Sequence, residues 1–405
     1  MQMRLGAFAP AGRLAHVPVP AKKRCNRPHT REGSMRKCLM GAAVATCAVA
    51  SLLNSAAADT TNIVYANYLG LKHSTNPVLE QFFEDVEQET DGSVTFEAHF
   101  ASSLLGPKDI PSGVRDGLAD AGYFVGVYVP SEMPVDNYLA DFMVLNNDAL
   151  AMTGATNELI LFECEECAEE YEKGFNTKFL ATYALTDYLL QCKEEYRSLD
   201  DLNGTKIRGF GAMADLIREM GGVPISMSTN DMYEGLERGT IDCATHSITS
   251  QRTRSLGEVA DNVILNSLGG FTGASLFNLR LEKWNELTPD ERRAMMKHIP
   301  HLVARSVMNY IELDEEVRKE MEAKGNKFYY ADQDVADFLA KFRENYVDFV
   351  VAKGKERGIK KPQEIAEKVI ALKEKWVGLL EEHGRDIETF EKLLWDEIYS
   401  KVAVK

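Results

Sequence analysis

The sequence predicts an α/β protein built as two lobes with a helical C-terminal elaboration. Three observations carry that reading. Short β-like segments alternate with amphipathic helical segments over residues 63–124. The same alternation restarts at 178 and runs to 244, and beyond 285 the chain turns to long charged helices. Strand–helix–strand repeats build a parallel sheet with helices on its faces. Two such units in one chain leave a cleft between them, a favoured place for a small ligand.

The first unit opens with a buried strand at 63–68. A helix at 76–90 follows, with Val78, Leu79, Phe82, Phe83 and Val86 on one stripe. Asp91-Gly92 turns the chain into an alternating strand at 93–100. A helix at 107–116 with proline near its start and a third strand at 119–124 complete the unit. The second unit has strand-like residues 178–190, a strand at 205–208 and a helix at 212–220 that stops at Gly221-Gly222. A strand at 223–227 leads to Ser228-Thr229, an N-cap for a helix at 230–238. Gly239 ends that helix and a strand at 240–244 follows. The last third reads as a helix over 289–325, kinked at Pro300, and further helices over 333–357 and 363–402.

The N-terminus stands apart. Residues 35–58 read MRKCLMGAAVATCAVASLLNSAAA, with Arg36-Lys37, an apolar run and Ala56-Ala57-Ala58. That is the pattern of a secretory leader cleaved after Ala58. The apolar run is short for a membrane span. Residues 1–34, basic and without periodicity, are read as an extension upstream of the true start at Met35.

Composition excludes some partners. The formal net charge is -16, and the basic leader region makes the exported chain more acidic still. Nucleic acid and anionic membrane surfaces are therefore not expected partners. A bound anion would need a local positive site. Cys164, Cys167, Cys192 and Cys243 lie beyond the leader. The CEEC pair reads as a local disulfide or as plain thiols. Acidic neighbours raise thiol pKa values and disfavour redox chemistry, and no further ligands stand at zinc spacing. Neither a Gly-x-Ser-x-Gly elbow nor His-Glu-x-x-His occurs, and His298 and His301 read as surface histidines. No enzyme activity, cofactor or metal is expected.

One stretch points to a ligand. DDLNGTKIRGFG, residues 200–211, delivers Arg208 at a strand end between glycines. Ligands of open α/β sheets sit beyond the carboxyl ends of strands. A guanidinium there can donate two parallel hydrogen bonds to a carboxylate.

The ordered series ETDGSVTFEAHFASSLLG (89–106), VRDGLADAGYF (114–124), VPSEMP (129–134), DDLNGTKIRGFG, MGGVPISMSTNDMYEGLERGTIDC (220–243) and GASLFNLRLEKWNELTPDER (273–292) resembles the extracytoplasmic substrate-binding proteins of TRAP transporters, the DctP-type family. The resemblance implies a two-lobed, periplasmic-binding-protein-like α/β fold with a ligand cleft and a long bridging helix. It divides the chain into lobe I from 59 to 180, lobe II from 181 to 268, and a remainder from 269 to 405. That remainder would return strands to lobe I, supply the bridging helix and pack C-terminal helices on both lobes. It also implies a monomeric periplasmic receptor that closes on a small organic acid and hands it to a permease of small and large membrane subunits. A sulfonate receptor, or a stand-alone solute sensor or chaperone, is the alternative.

In that family the arginine of a K-x-R motif grips the solute carboxylate, and Arg208 matches it. Tyr188 stands at a second ligand-contacting position that is arginine in some members. His246 replaces the asparagine of a G-x-E-N motif, which puts sialic-acid-type recognition in doubt and offers a donor whose charge varies with pH. Tyr68, His73, Tyr123 and Phe124, at strand ends of lobe I, would form an aromatic wall facing Arg208. Asn278 reads as a structural strand residue.

Overall fold

Two mixed β-sheets, each covered by helices, organise the computed structural model, which describes residues 60–404. The expected leader at 35–58 and the extension at 1–34 lie outside the described residues. The strands are β1 (Thr61–Ala66), β2 (Val94–His99), β3 (Ala121–Phe124), β4 (Thr177–Tyr183), β5 (Leu189–Cys192), β6 (Lys206–Arg208), β7 (Val223–Ile225), β8 (Cys243–His246), β9 (Asn262–Ile264), β10 (Ala274–Arg280) and β11 (Lys327–Tyr329). The first sheet has the order β2-β1-β3-β10-β4 and the second β11-β9-β5-β8-β6-β7.

In lobe I, β1 runs parallel to β2 and β3, while β10 is antiparallel to β3 and β4. An aromatic cluster fills the space beneath it, with Phe83 stacked on Phe96 at 4.5 Å and Tyr65 on Phe277 at 5.3 Å. In lobe II, β6 lies parallel to β7 and β8, and β5 antiparallel to β8 and β9. The single strand expected over 178–190 is two: β4 belongs to the first sheet and β5 to the second. The chain crosses between lobes at 184–188 and returns alongside at 268–273. Leu185 N–H donates to Phe271 O at 2.8 Å and Tyr188 N–H to Gly269 O at 2.9 Å. Glycine is required in this return. Gly269 has φ +94° and a Cβ there would lie 2.1 Å from Met143 O.

The helix Pro289–Lys324 spans 36 residues and starts with a Thr288/Glu291 capping box. It continues through Pro300 and ends where Gly325 adopts φ +102°. Lys297 pairs with Glu89 of lobe I, and Glu316 and Glu320 pair with Arg252 of lobe II, so this helix ties the lobes together. It then feeds β11 into the second sheet, so the C-terminal third gives a strand to each lobe. The two C-terminal stretches expected as single helices are each split: Gln333–Glu344 with Tyr346–Glu356, and Pro362–His383 with Ile387–Glu397. Trp376, fully buried, donates Nε1–H to Glu158 of lobe I at 2.8 Å. Lys353 pairs with Asp215 of lobe II.

Cys164 and Cys167 form a disulfide. A second, not anticipated from the sequence, joins Cys192 and Cys243, which face each other across β5 and β8. Two bridges suit an oxidising compartment. Among the described residues no helix is long and apolar enough to cross a membrane.

Candidate functional site

The carboxyl edges of both sheets face one cavity. From lobe I come Tyr68 just after β1, Tyr123 on β3 and Leu185 just after β4. From lobe II come Arg208 at the end of β6, His246 at the end of β8 and Tyr188 just before antiparallel β5. The space between them is small, about 20 Å³, room for roughly one water molecule. Three contacts shut it: Asn230 Nδ2 donates to Tyr68 O at 3.2 Å, Thr229 N–H to Tyr128 Oη at 3.3 Å and Ala212 N–H to Asp141 Oδ1 at 2.9 Å.

Arg208 is fully buried. Its Nε–H donates to Met227 O at 3.3 Å and its Nη1 to Thr245 O at 3.1 Å, while its guanidinium lies 4.5 Å over the Phe210 ring. Its Nη2 has no hydrogen-bond partner. Among the described residues no carboxylate pairs with it. Burying a charge without a counter-ion costs several kcal/mol. The fold accepts that cost and holds the fork rigid, with one edge free.

Tyr188 and His246 stack beside it, 4.9 Å apart. Ser247 N–H donates to His246 Nδ1 at 2.9 Å, which leaves the proton of the neutral ring on Nε2. Burial, then Arg254 and Arg208, push the His246 pKa well below its ordinary value. This corrects the expectation of a pH-variable charge: the ring is a neutral donor. His73 is neutral for the same reasons, burial first and then Arg254. Its Nδ1 accepts Thr75 N–H at 3.2 Å, so Nε2–H donates to Tyr310 Oη at 2.9 Å. Nearby, the Tyr183 hydroxyl pairs with those of Tyr123 at 3.1 Å and Thr75 at 3.3 Å.

The cavity thus gathers six of the seven expected residues. Phe124 is the exception. It stacks against Tyr171 and packs edge-on to Phe175 in the core of lobe I. Successive side chains on a strand point to opposite faces, and Tyr123 takes the cavity face.

Sequence reasoning missed Tyr128, Phe210, Phe271, Tyr310 and, above all, Arg254. Phe210 stands inside the very stretch that flagged Arg208. Tyr128 follows β3 in a short 3-10 turn. Burial raises its phenol pKa, but Arg208, Thr229 and Arg254 outweigh burial and lower it. Arg254 sits in the turn after the short helix Ser250–Thr253 and carried no sequence signal.

The chemistry of the site is that of an anion receptor: two guanidiniums without acid partners, neutral histidines, phenols and apolar rings. A larger open groove of about 760 Å³ lies between residues 144–147 and the helix Pro362–His383. There Arg343 donates to Val144 O and Ser267 O, and Lys373 to Leu145 O and Asn147 Oδ1. Both cations already have acceptors.

Comparison with known proteins agrees with this fold. A solute-binding protein of Sulfitobacter sp. (strain NAS-14.1) is 25% identical over 225 residues, covering 55% of this chain and 67% of its own length. A marine metagenome TRAP solute-binding protein specific for aromatic acid ligands, solved with metahydroxyphenylacetate, superposes with a TM-score of 0.68 at 20% identity and covers 78% of this chain and 99% of its own. A TRAP solute-binding protein from Rhodoferax ferrireducens, solved with copurified benzoate, gives 0.67 at 18% identity, over 79% and 99%. These structures share the fold. The family model for bacterial extracellular solute-binding protein, family 7, matches residues 65–353. The chain belongs to that receptor family, DctP, which is not a class of enzymes.

Proposed function

We propose that this chain is the periplasmic receptor of a TRAP-type transporter, that it captures a small carboxylic acid on Arg208, and that it delivers the acid to membrane permease subunits. The observation that carries this reading is the buried Arg208 guanidinium with a free Nη2 and no acid partner. A carboxylate supplies the missing charge and accepts from the free edge. The neutral His246 and the phenols offer donors to the remaining acceptor atoms, and Tyr188, Phe210 and Phe271 offer ring faces. The benzoate and metahydroxyphenylacetate found in structural neighbours support a ring-bearing acid.

The work is recognition and closure, with no bond made or broken. The present cavity is too small for such an acid, so entry requires the lobes to part about the 184–188 and 268–273 crossings. Closing again removes water and strengthens the charge contact through a lower effective dielectric. The closed shape is what a permease would recognise, and a monomeric shuttle suffices for it.

A thermal-shift panel of benzoate, phenylacetate, benzenesulfonate and neutral benzyl alcohol tests the proposal on purified protein. An acid at a thousand times its dissociation constant adds about 4 kcal/mol to the native state, a shift of several degrees for a chain of this size. A carboxylate-selective shift supports the reading. A response to benzyl alcohol equal to that of the acids overturns it.

A further inference from the structure

We infer that Arg343 is a clasp on the hinge: from outside the cavity it spans the pivot of the returning chain, holds the lobes in their shut arrangement, and so sets solute affinity without touching the solute. This rests on the proposed capture of a solute by closure of the lobes.

Hydrogen bonds narrow the hinge to two short pivots. Asn146, buried just after the 3-10 turn Phe142–Leu145 of lobe I, holds both crossings. Its Nδ2 donates to Leu185 O at 3.1 Å and to Gly270 O at 3.0 Å, and its backbone O accepts Gly270 N–H at 3.0 Å. The approach is so close that a Cβ on Gly270 would lie 2.2 Å from Leu185 O and 2.6 Å from Asn146 Nδ2. Leu185 and Gly270 are thereby fixed to lobe I. On the other side, Tyr188 N–H donates to Gly269 O and Leu268 N–H to Tyr188 O, both at 2.9 Å, beside β5 of lobe II. Between these fixed points lie Thr186-Asp187 on the outgoing chain and the Gly269–Gly270 junction on the return.

Arg343 bridges the second pivot. Its Nε–H donates to Val144 O at 3.2 Å, on the Asn146 side, and its Nη2 to Ser267 O at 2.6 Å, on the lobe II side. One planar guanidinium thus fixes both the distance and the angle between a lobe I carbonyl and a lobe II carbonyl. The helix that carries it, Gln333–Glu344, starts on lobe II, where Leu199 N–H donates to Asp334 Oδ2 at 2.9 Å. Just past its end, Tyr346 Oη donates to Asp141 O of lobe I at 2.8 Å. The chain therefore changes lobe at Arg343, a passage separate from the two crossings of the sheets. Burial pulls the Arg343 pKa down, against the nearby Asp187. The guanidinium is thus partly withdrawn from water, where its hydrogen bonds count for more.

The cavity is shut while these bonds are made. Rotation about Gly269–Gly270 moves Ser267 O relative to Val144 O, and a rigid fork cannot follow both. Arg343 lines the outer groove and not the cavity. Its contribution is therefore the same whichever acid is bound.

Arg343→Gln tests the clasp, because Val144 and Ser267 border the open groove and water can reach the carbonyls it leaves. Isothermal titration should show benzoate and phenylacetate weakened by the same factor, about fivefold or more, the worth of one net hydrogen bond. Stopped-flow mixing should place the change in dissociation, with association close to the parent's. If the unfolding midpoint shows that Arg343→Gln fails to fold, Arg343→Lys, which can still donate to one carbonyl, takes its place with a smaller uniform loss. Unchanged affinity overturns the clasp, as does tighter binding or a loss confined to one of the two acids. In those cases a parent that contracts in X-ray scattering on saturation with benzoate keeps the closure reading. If neither acid binds the parent, or the saturated parent scatters like the free one, closure itself fails and the clasp falls with it.

Discussion

Tyr188, just before β5, and His246, at the end of β8, stack face to face, ring centroids 4.9 Å apart and planes within 20°. The pair sits at one end of the β5–β8 ladder, where Leu189 opposes His246. The other end of the same ladder is closed by the Cys192–Cys243 disulfide. The covalent link therefore holds the register that brings the two rings together. Cys192→Ala with Cys243→Ala should lower unfolding stability by about 2–4 kcal/mol, read from urea midpoints. Solute affinity should fall as well, because the stacked pair loses its fixed spacing. Unchanged affinity in the double variant would show that β5 and β8 keep their register unaided.

The neutral state of His246 has a pH signature. Its folded pKa lies below its ordinary value of about 6.5, so the unfolded chain takes up the proton more readily. Its contribution to stability is complete above about pH 6.5 and is lost as pH falls toward the depressed folded value. His246→Asn removes that dependence. The stability difference between parent and variant should be constant above about pH 7 and should shift against the parent below pH 6.5, by at most about 1.4 kcal/mol per pH unit. A difference that stays flat from pH 8 to pH 5 would mean that His246 titrates normally.

Arg208→Lys should fold with nearly the parent's midpoint and lose most solute affinity. Lysine keeps the charge, but it cannot donate to Met227 O, Thr245 O and a carboxylate in one rigid plane. A loss of about thirtyfold or more is expected for a buried charge contact. Titration with whichever acid gives the largest thermal shift decides it, and equal affinity would remove Arg208 as the anchor.

The parts of this site that were legible in the sequence sit at strand ends. Arg208 and Tyr123 lie in segments whose strand character shows in composition and whose ends lie beside turn residues, whereas His246 was placed by the family motif. Tyr188 sits at the lobe crossing, and its place came from the family motif. Phe124 misled by one position, because a period of two sends neighbours to opposite faces. Arg254 was illegible because only the packed loop after β8 decides which of two nearby arginines meets an acid. The Cys192–Cys243 bridge needed the β5–β8 register before the two cysteines became neighbours. Strands β9 and β11 are three residues each, too short for a pattern. The helix Ala149–Glu158 buries almost every side chain, so it shows no amphipathic stripe.

Asp314 joins the bridging helix to the outgoing lobe crossing and to the turn after β8. It accepts the Thr186 hydroxyl at the outgoing crossing and Thr249 N–H after β8 at 2.7 Å. Burial pushes its pKa up to about 7. A carboxyl raised in the folded state stabilises fully below its unfolded value near 4, and that contribution is lost as pH rises through about 7. Asp314→Asn keeps the acceptor and removes the titration. The parent should therefore lose stability relative to the variant between about pH 4 and pH 7, by up to about 1.4 kcal/mol per pH unit. Parallel profiles in urea unfolding across that range would show that Asp314 is ionised throughout.

Asp141 forms a contact across the cleft that closure must make. It is buried on the lobe I helix Pro134–Asp141, and its Oδ1 accepts Ala212 N–H at 2.9 Å, in the first turn of the lobe II helix Gly211–Glu219. That amide lies four residues beyond Arg208. A carboxylate there satisfies an orphan helix N–H and favours the positive end of the helix dipole. Arg357 at 2.6 Å and Lys353 at 3.6 Å hold it from the C-terminal helices. Burial pushes its pKa up, against those two cations. Removing the carboxylate takes away this bond between helices of the two lobes. Asp141→Ala should therefore weaken solute affinity by about five- to thirtyfold, the value of a lost helix cap of 1–2 kcal/mol, while Arg208 and the cavity walls stay in place. X-ray scattering separates this from a local packing defect. With saturating solute the variant should remain more extended than the parent, and without solute the two should scatter alike once the parent also opens. If the variant closes as fully as the parent at matched occupancy, Asp141 packs at the interface without setting the closed state.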